Sequence, residues 1–127
     1  MQKHSILLVD DDALIINTLS KRFATRDVDF HAVKTPEEAK AVLDKLVPEV
    51  LILDLLLTTE DGSQAILDKL KSEERLANVP VLVLTNLDKP ELKQMLLTQG
   101  VKEYIIKGSL SLDELYDKVL GYLEPRK

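Results

Sequence analysis

Val50-Leu51-Ile52-Leu53-Asp54 is a continuous apolar run that ends on a carboxylate. It is short and does not alternate, which suits a strand buried on both faces of a parallel sheet. Three other runs repeat the pattern with different endings. Ile6-Leu7-Leu8-Val9 leads into Asp10-Asp11-Asp12, Val81-Leu82-Val83-Leu84 into Thr85, and Tyr104-Ile105-Ile106 into Lys107. In open α/β sheets the ligand site lies beyond the carboxyl ends of the strands. Carboxylates, a hydroxyl and an ammonium are therefore expected to meet in one crevice, a set that can hold a hard cation and a phosphoryl group.

Helical stripes separate the runs, the βαβ pattern of a sheet covered on both faces. The first strand is expected at about 5–10, followed by a helix with Leu14-Ile15, Leu19 and Phe23 on one face. Phe30 to Lys34 predicts a weaker second strand. Thr35-Pro36-Glu37-Glu38 then supplies an N-cap, a proline in the first turn and a capping-box Glu, and Ala39, Val42-Leu43 and Leu46 give the buried stripe before Pro48 ends it. A third helix is predicted from Ser63 to about Glu74 and a fourth strand at 80–85. Pro90 opens a short fourth helix that Gly100 caps, and Ser111-Leu112-Asp113-Glu114 is a second capping box before the stripe Leu115, Val119, Leu123. Five strands and five helices fit one domain spanning residues 1–127, with a core at about 4–124 and 125–127 as a tail or linker stub.

The net charge of −5 disfavours direct binding to nucleic acid or an anionic membrane. With no cysteine there is neither a disulfide framework nor a thiolate for zinc or catalysis. No apolar run approaches the about 18 residues of a membrane span, and Met1-Gln2-Lys3-His4 enters the first strand without a signal-type segment. These features predict a soluble, cytoplasmic protein. His4 and His31 read as ordinary surface or edge residues.

Asp10-Asp11-Asp12 could serve merely as helix caps, but adjacent carboxylates repel one another, and a divalent cation would turn that cost into affinity. Asp54 lies between Val50-Leu51-Ile52-Leu53 and Leu55-Leu56-Leu57, where a lone charge is expensive to bury. Taken singly, Thr85 reads as a strand-end residue, Lys107 as a solvated lysine and Tyr104 as a half-buried strand aromatic. Their joint appearance after separate strands is the informative feature.

Together with Asp61-Gly62, these motifs over essentially the whole chain resemble the receiver domain of two-component response regulators. The resemblance implies a flavodoxin-like fold, a doubly wound five-stranded parallel sheet of order 2-1-3-4-5 with five helices. It implies that Asp54 is the phosphoacceptor, that Asp10 and Asp11 with Asp54 and the Leu56 carbonyl hold Mg2+ or Mn2+, and that Lys107 binds the phosphoryl group. Thr85 would be the switch hydroxyl and Tyr104 the aromatic switch. Asp12 matches a variable position and receives no role. The implied partners are a histidine kinase or histidine phosphotransfer protein, a downstream protein or output domain, and a second copy through the helix 4, strand 5, helix 5 face.

Three positions depart from the family pattern. Thr58 stands where proline is common, Gly108 follows Lys107 where a proline with a cis bond is common, and Asn86 follows Thr85 where a small residue is usual. Asn86 is expected to narrow the site. Leu56 and Leu87 are expected to flank the path of a water attacking an acyl phosphate, so the phosphorylated state should be long-lived. The reading is a phosphorylation switch that modifies its own Asp54 and is not a turnover enzyme. The alternatives are a receiver-like module that binds without phosphorylation, and an aspartyl-phosphate phosphatase, for which a cap domain is missing.

Overall fold

The computed structural model describes residues 4–55 and 60–123, with only the backbone of Glu60 and Asp61. In chain order the elements are β1 (His4–Val9), α1 (Ala13–Phe23), β2 (Val28–Val33), α2 (Pro36–Lys45), β3 (Val50–Asp54), α3 (Glu60–Ser72), a 3-10 turn (Glu74–Leu76), β4 (Val81–Thr85), α4 (Pro90–Thr98), β5 (Glu103–Ile106) and α5 (Leu112–Leu120). The strands form one parallel sheet in the order β2-β1-β3-β4-β5. This is the order expected from the resemblance.

The period-2 alternation of a strand divides the apolar runs between two helical layers. Leu7, Val9, Leu51, Leu53, Val81 and Val83 pack with Leu43 of α2, Ile66 of α3 and Leu96 of α4. Ile6, Leu8, Val50, Ile52, Leu82 and Leu84 pack with Leu19 of α1 and Val119 of α5. Every residue of β3 and β4 is buried, which is why those runs carry no polar alternation. The α1/α5 layer also holds Phe23 stacked on Phe30, with centroids 5.6 Å apart, and tilted against Tyr116 at 4.8 Å.

The helix ends follow the capping residues. Thr35 accepts from the Glu38 N–H, but the Glu38 carboxylate turns to the Lys34 N–H and the Thr35 hydroxyl, so the reciprocal half of that box is displaced by one residue. The Ser111–Glu114 box is complete. Gly100, at φ +102°, ends α4 with the Gly100 N–H on the Leu97 carbonyl and the Val101 N–H on Leu96, the paired bonds of a Schellman motif.

Several boundaries differ from the sequence expectations. β1 begins at His4 and stops at Val9, because Asp10 turns out of the ladder after donating its N–H to Val33. β2 begins at Val28, whose buried side chain pairs in register with His4. α2 ends at Lys45 ahead of Pro48, with Leu46 already extended at φ −146°. α3 begins at Glu60, three residues before the expected Ser63. His4 is half-buried within β1, with Nδ1 2.8 Å from a Glu49 carboxylate oxygen, and is therefore not a plain surface residue.

β5 and the end of α5 are tied by Glu103, which accepts from Lys118 Nζ at 2.7 Å and from the Tyr122 hydroxyl. Burial acts most strongly on Glu103 and pushes its carboxyl up, but the hydrogen bonds from Lys118 and Tyr122 outweigh it and hold the group below its usual range. Burial, with the facing Glu103 carboxylate, pushes the Tyr122 phenol up to about 12.

Two stability predictions follow from this packing. Ile52→Ala, in a fully buried site, should cost about 2–5 kcal/mol in urea unfolding, whereas Leu14→Ala, at a residue 66% exposed, should cost less than about 0.5. A depressed Glu103 stabilises the fold above the ordinary carboxylate range, and this contribution disappears as pH falls through the lowered value. A raised Tyr122 stabilises below about pH 10, and its contribution disappears as pH rises toward about 12. Unfolding midpoints of wild type and Tyr122→Phe should therefore differ at neutral pH and converge on the alkaline limb.

Candidate functional site

The carboxyl ends of β1, β3, β4 and β5 bring Asp10, Asp54, Thr85 and Lys107 to one edge of the sheet. Asp10 and Thr85 are fully buried and Asp54 nearly so, because each directly follows or ends an apolar strand and cannot turn away from the core. Lys107 comes just after β5, its backbone N–H on the Thr85 carbonyl at 2.7 Å, and its side chain reaches across β4. Its Nζ lies 3.0 Å from Asp54 Oδ2 and 3.3 and 3.2 Å from the two oxygens of Asp10. Only 15% of the Lys107 side chain is exposed, so these ion pairs are poorly screened.

The two buried acids sit uneasily together. Burial is the foremost influence on Asp10, and with the adjacent Asp54 carboxylate it pushes Asp10 up to about 6, against the opposing pull of the Asp12 N–H and Lys107. Burial also acts most strongly on Lys107 and lowers it, but its hydrogen bond to Asp54 and the charges of Asp10 and Asp54 prevail and hold it above the usual lysine range. One cation is thus shared between two carboxylates, and negative charge is left over.

Asp10 Oδ1 accepts the Asp12 N–H at 2.9 Å, while the buried Asp10 Oδ2 has no donor in hydrogen-bond geometry, although Lys107 Nζ lies 3.2 Å away as an ion-pair partner. Asp10, Asp11 and Asp54 each offer an oxygen, and these lie within 4.8 Å of one another, with Asp11 on the exposed side. Hard oxygen ligands, surplus negative charge and an undonated oxygen fit a divalent cation such as Mg2+ or Mn2+. The expected Leu56 carbonyl ligand and Thr58 lie outside the described residues, as does the side chain of Asp61.

Thr85 and Tyr104 are joined through one peptide segment. The Leu87 N–H donates to Thr85 Oγ1 at 3.0 Å, and the Tyr104 hydroxyl donates to the Leu87 carbonyl. Tyr104 is half-buried against the α2/α3/α4 layer, and Leu87 lines a groove of about 570 Å³ between α3 and α4 with Leu55, Leu67, Leu92 and Met95. Asn86 is exposed. No cis peptide occurs among the described residues, so Lys107 to Gly108 is trans, and Gly108 makes the turn at φ +89°, which a side chain would strain.

Sequence reasoning gave Asp12 no role beyond a possible helix cap and missed Ser63. Asp12 caps α1, accepting from the N–H groups of Leu14 and Ile15, and its other oxygen lies 4.0 Å from Lys107 Nζ. The signal was the N-cap position itself. Ser63, buried on α3, donates its hydroxyl to the Asp54 carbonyl at 3.2 Å. It carries no sequence signal, because that contact depends on how α3 packs.

Comparison with known proteins agrees with this fold. The chain is 29% identical over 118 residues to the DNA-binding dual master transcriptional regulator RpaA of Synechocystis, and 32% identical over 118 residues to the transcriptional regulatory protein TrcR of Mycobacterium tuberculosis. Each match covers 93% of this chain but only 48% and 44% of those proteins, so the chain spans less than half the length of these relatives. Among solved structures, the receiver domain of the Francisella response regulator 1452 superposes with a TM-score of 0.76 at 27% identity, covering 94% of this chain and 96% of that one. The phosphorylated cyanobacterial phytochrome response regulator RcpA gives 0.76 at 27% identity over 94% and 90%. Residues 6–120 match the family model described as the response regulator receiver domain, and the chain belongs to that family.

Proposed function

We propose that this receiver domain is a phosphoacceptor switch, in which Asp54 takes a phosphoryl group from a phosphohistidine on a histidine kinase or histidine phosphotransfer protein. The observation that carries the reading is the single lysine shared by two buried carboxylates beside an undonated Asp10 oxygen. A site built this way has an anion-binding cation and room for more positive charge, and phosphoryl transfer demands mainly positioning and neutralisation.

An Asp54 carboxylate oxygen attacks phosphorus while the bond to the histidine nitrogen breaks and leaves its electron pair on that nitrogen; with the other ring nitrogen already protonated, this yields an acyl phosphate on Asp54 and a neutral imidazole on the partner. Lys107 neutralises one phosphoryl oxygen, since its Nζ already lies beside Asp54 Oδ2. Asp10, Asp11 and Asp54 would hold Mg2+ or Mn2+, which when bound supplies further neutralisation of the phosphoryl oxygens. Thr85 donates its hydroxyl to the arriving group and loosens its hold on the Leu87 N–H, and Tyr104 responds because its hydroxyl is bound to the same residue's carbonyl. The output contact is assigned to the α4, β5, α5 face, toward a downstream protein, an output domain or a second copy. The low net charge argues that these 127 residues themselves do not bind nucleic acid. RpaA is named a DNA-binding regulator, and that name covers a protein about twice as long as the matched region. Among the described residues no helix is long and apolar enough to cross a membrane.

Intact-mass spectrometry after incubation with acetyl phosphate should show a gain of one phosphate that requires Mg2+, is abolished by EDTA and is absent in Asp54→Asn. Uptake that persisted in Asp54→Asn would move the acceptor to another residue, and no uptake under any condition would replace the switch with a module that binds without phosphorylation. Leu87→Glu should shorten the life of the phosphorylated state several-fold by giving an attacking water a hydrogen-bond partner. An unchanged decay of the phosphorylated mass would remove Leu87 from the hydrolysis path.

A further inference from the structure

We propose that Asp12 is a charge filter for the phosphodonor, a specificity residue that slows attack on donors of higher negative charge. The inference rests on Asp54 being the phosphoacceptor. Asp12 is held in place from three directions. Its N–H donates to Asp10 Oδ1 at 2.9 Å, and its Oδ1 accepts from the N–H groups of Leu14 at 3.0 Å and Ile15 at 3.3 Å. This fixes the carboxylate, and Oδ2 then lies 4.0 Å from Lys107 Nζ.

Asp10, Asp11 and Asp54 bring their oxygens together as a possible cation site, and Asp12 is not among them. Its carboxylate is therefore not consumed as a ligand of an ion bound there. The Asp12 side chain is 39% exposed, against essentially none for Asp10 and 6% for Asp54, so with the exposed Asp11 it presents negative charge to solvent beside the buried acceptor. The first turn of α1 itself holds no acid, so Asp12 is the last carboxylate before the helix. Asp12 acts in two ways with one sign: it repels the incoming phosphoryl oxygens, and it draws Lys107 away from them.

The chemistry balances for both small donors used below. With acetyl phosphate, a dianion at neutral pH, an Asp54 oxygen bonds to phosphorus and acetate leaves with the electron pair of the broken O–P bond. With phosphoramidate, a monoanion, the N–P bond breaks and ammonia leaves with the proton already on nitrogen. A fixed charge near the path penalises the dianion more.

Asp12→Asn and Asp12→Ser both keep a good N-cap for α1 while removing the charge, which separates the electrostatic role from a structural one. Initial rates of phosphate gain by intact mass should be measured in saturating Mg2+ with each donor, at about 0.05 M and about 0.5 M salt. With acetyl phosphate at low salt both variants should gain on the order of three- to tenfold over wild type, with phosphoramidate at most about twofold, and high salt should shrink the difference. Gains equal for the two donors, gains indifferent to salt, or no gain would overturn the proposal while Asp54 remains the acceptor. A wild type that takes no phosphate, or takes as much in Asp54→Asn, would overturn the acceptor reading and this inference together.

Discussion

The ammonium of Lys107 reaches past β4 to lie between the carboxylates of Asp54 and Asp10, and the upper edge of the sheet is arranged around that contact. Two acids buried side by side would each force the other to hold a proton, so the strand order is tolerable only if a cation arrives from elsewhere in the sheet. β5 delivers it. The side chain must be long enough to cross an intervening strand, and the backbone must leave the sheet at once, which the left-handed turn at Gly108 accomplishes with a trans peptide. The compensation is incomplete by design of the numbers: one positive charge faces two negative ones, with Asp11 and Asp12 beside them. A site in that state favours whatever adds positive charge, and then whatever brings a polyvalent anion to it.

Much of this was legible in the residue order because the strands in question are buried on both sides. Val50-Leu51-Ile52-Leu53 and Val81-Leu82-Val83-Leu84 admit few readings other than central parallel strands, and the residue that ends each is forced to the sheet edge. What escaped depends on contacts between distant segments. β2 is an edge strand whose Asp29 and Ala32 face solvent, so its pattern is diluted and its start at Val28 becomes visible only through pairing with His4. α3 begins before its apolar stripe, across Asp61-Gly62-Ser63, a triplet that on propensity alone resembles a turn. The hydroxyl of Ser63 on the Asp54 carbonyl and the pairing of His4 with Glu49 have no local signature.

The division of odd and even strand positions between two helical layers also explains how receiver domains with about a quarter of their residues in common superpose as well as they do. What the layers require is an apolar side chain of suitable volume on the correct face, and Val, Ile and Leu are near equivalents there. A one-residue slip in β3 would be far more damaging than several conservative exchanges, because it would carry Asp54 to the opposite face along with every core leucine.

Leu87 contributes its N–H to Thr85 and its carbonyl to Tyr104, and both of those atoms belong to the main chain. The coupling between hydroxyl and ring is therefore blind to which side chain occupies the position, provided it is not proline. Transmission and tuning are separated within a single residue. The backbone carries a link common to every occupant, and the side chain is left free to vary without breaking it.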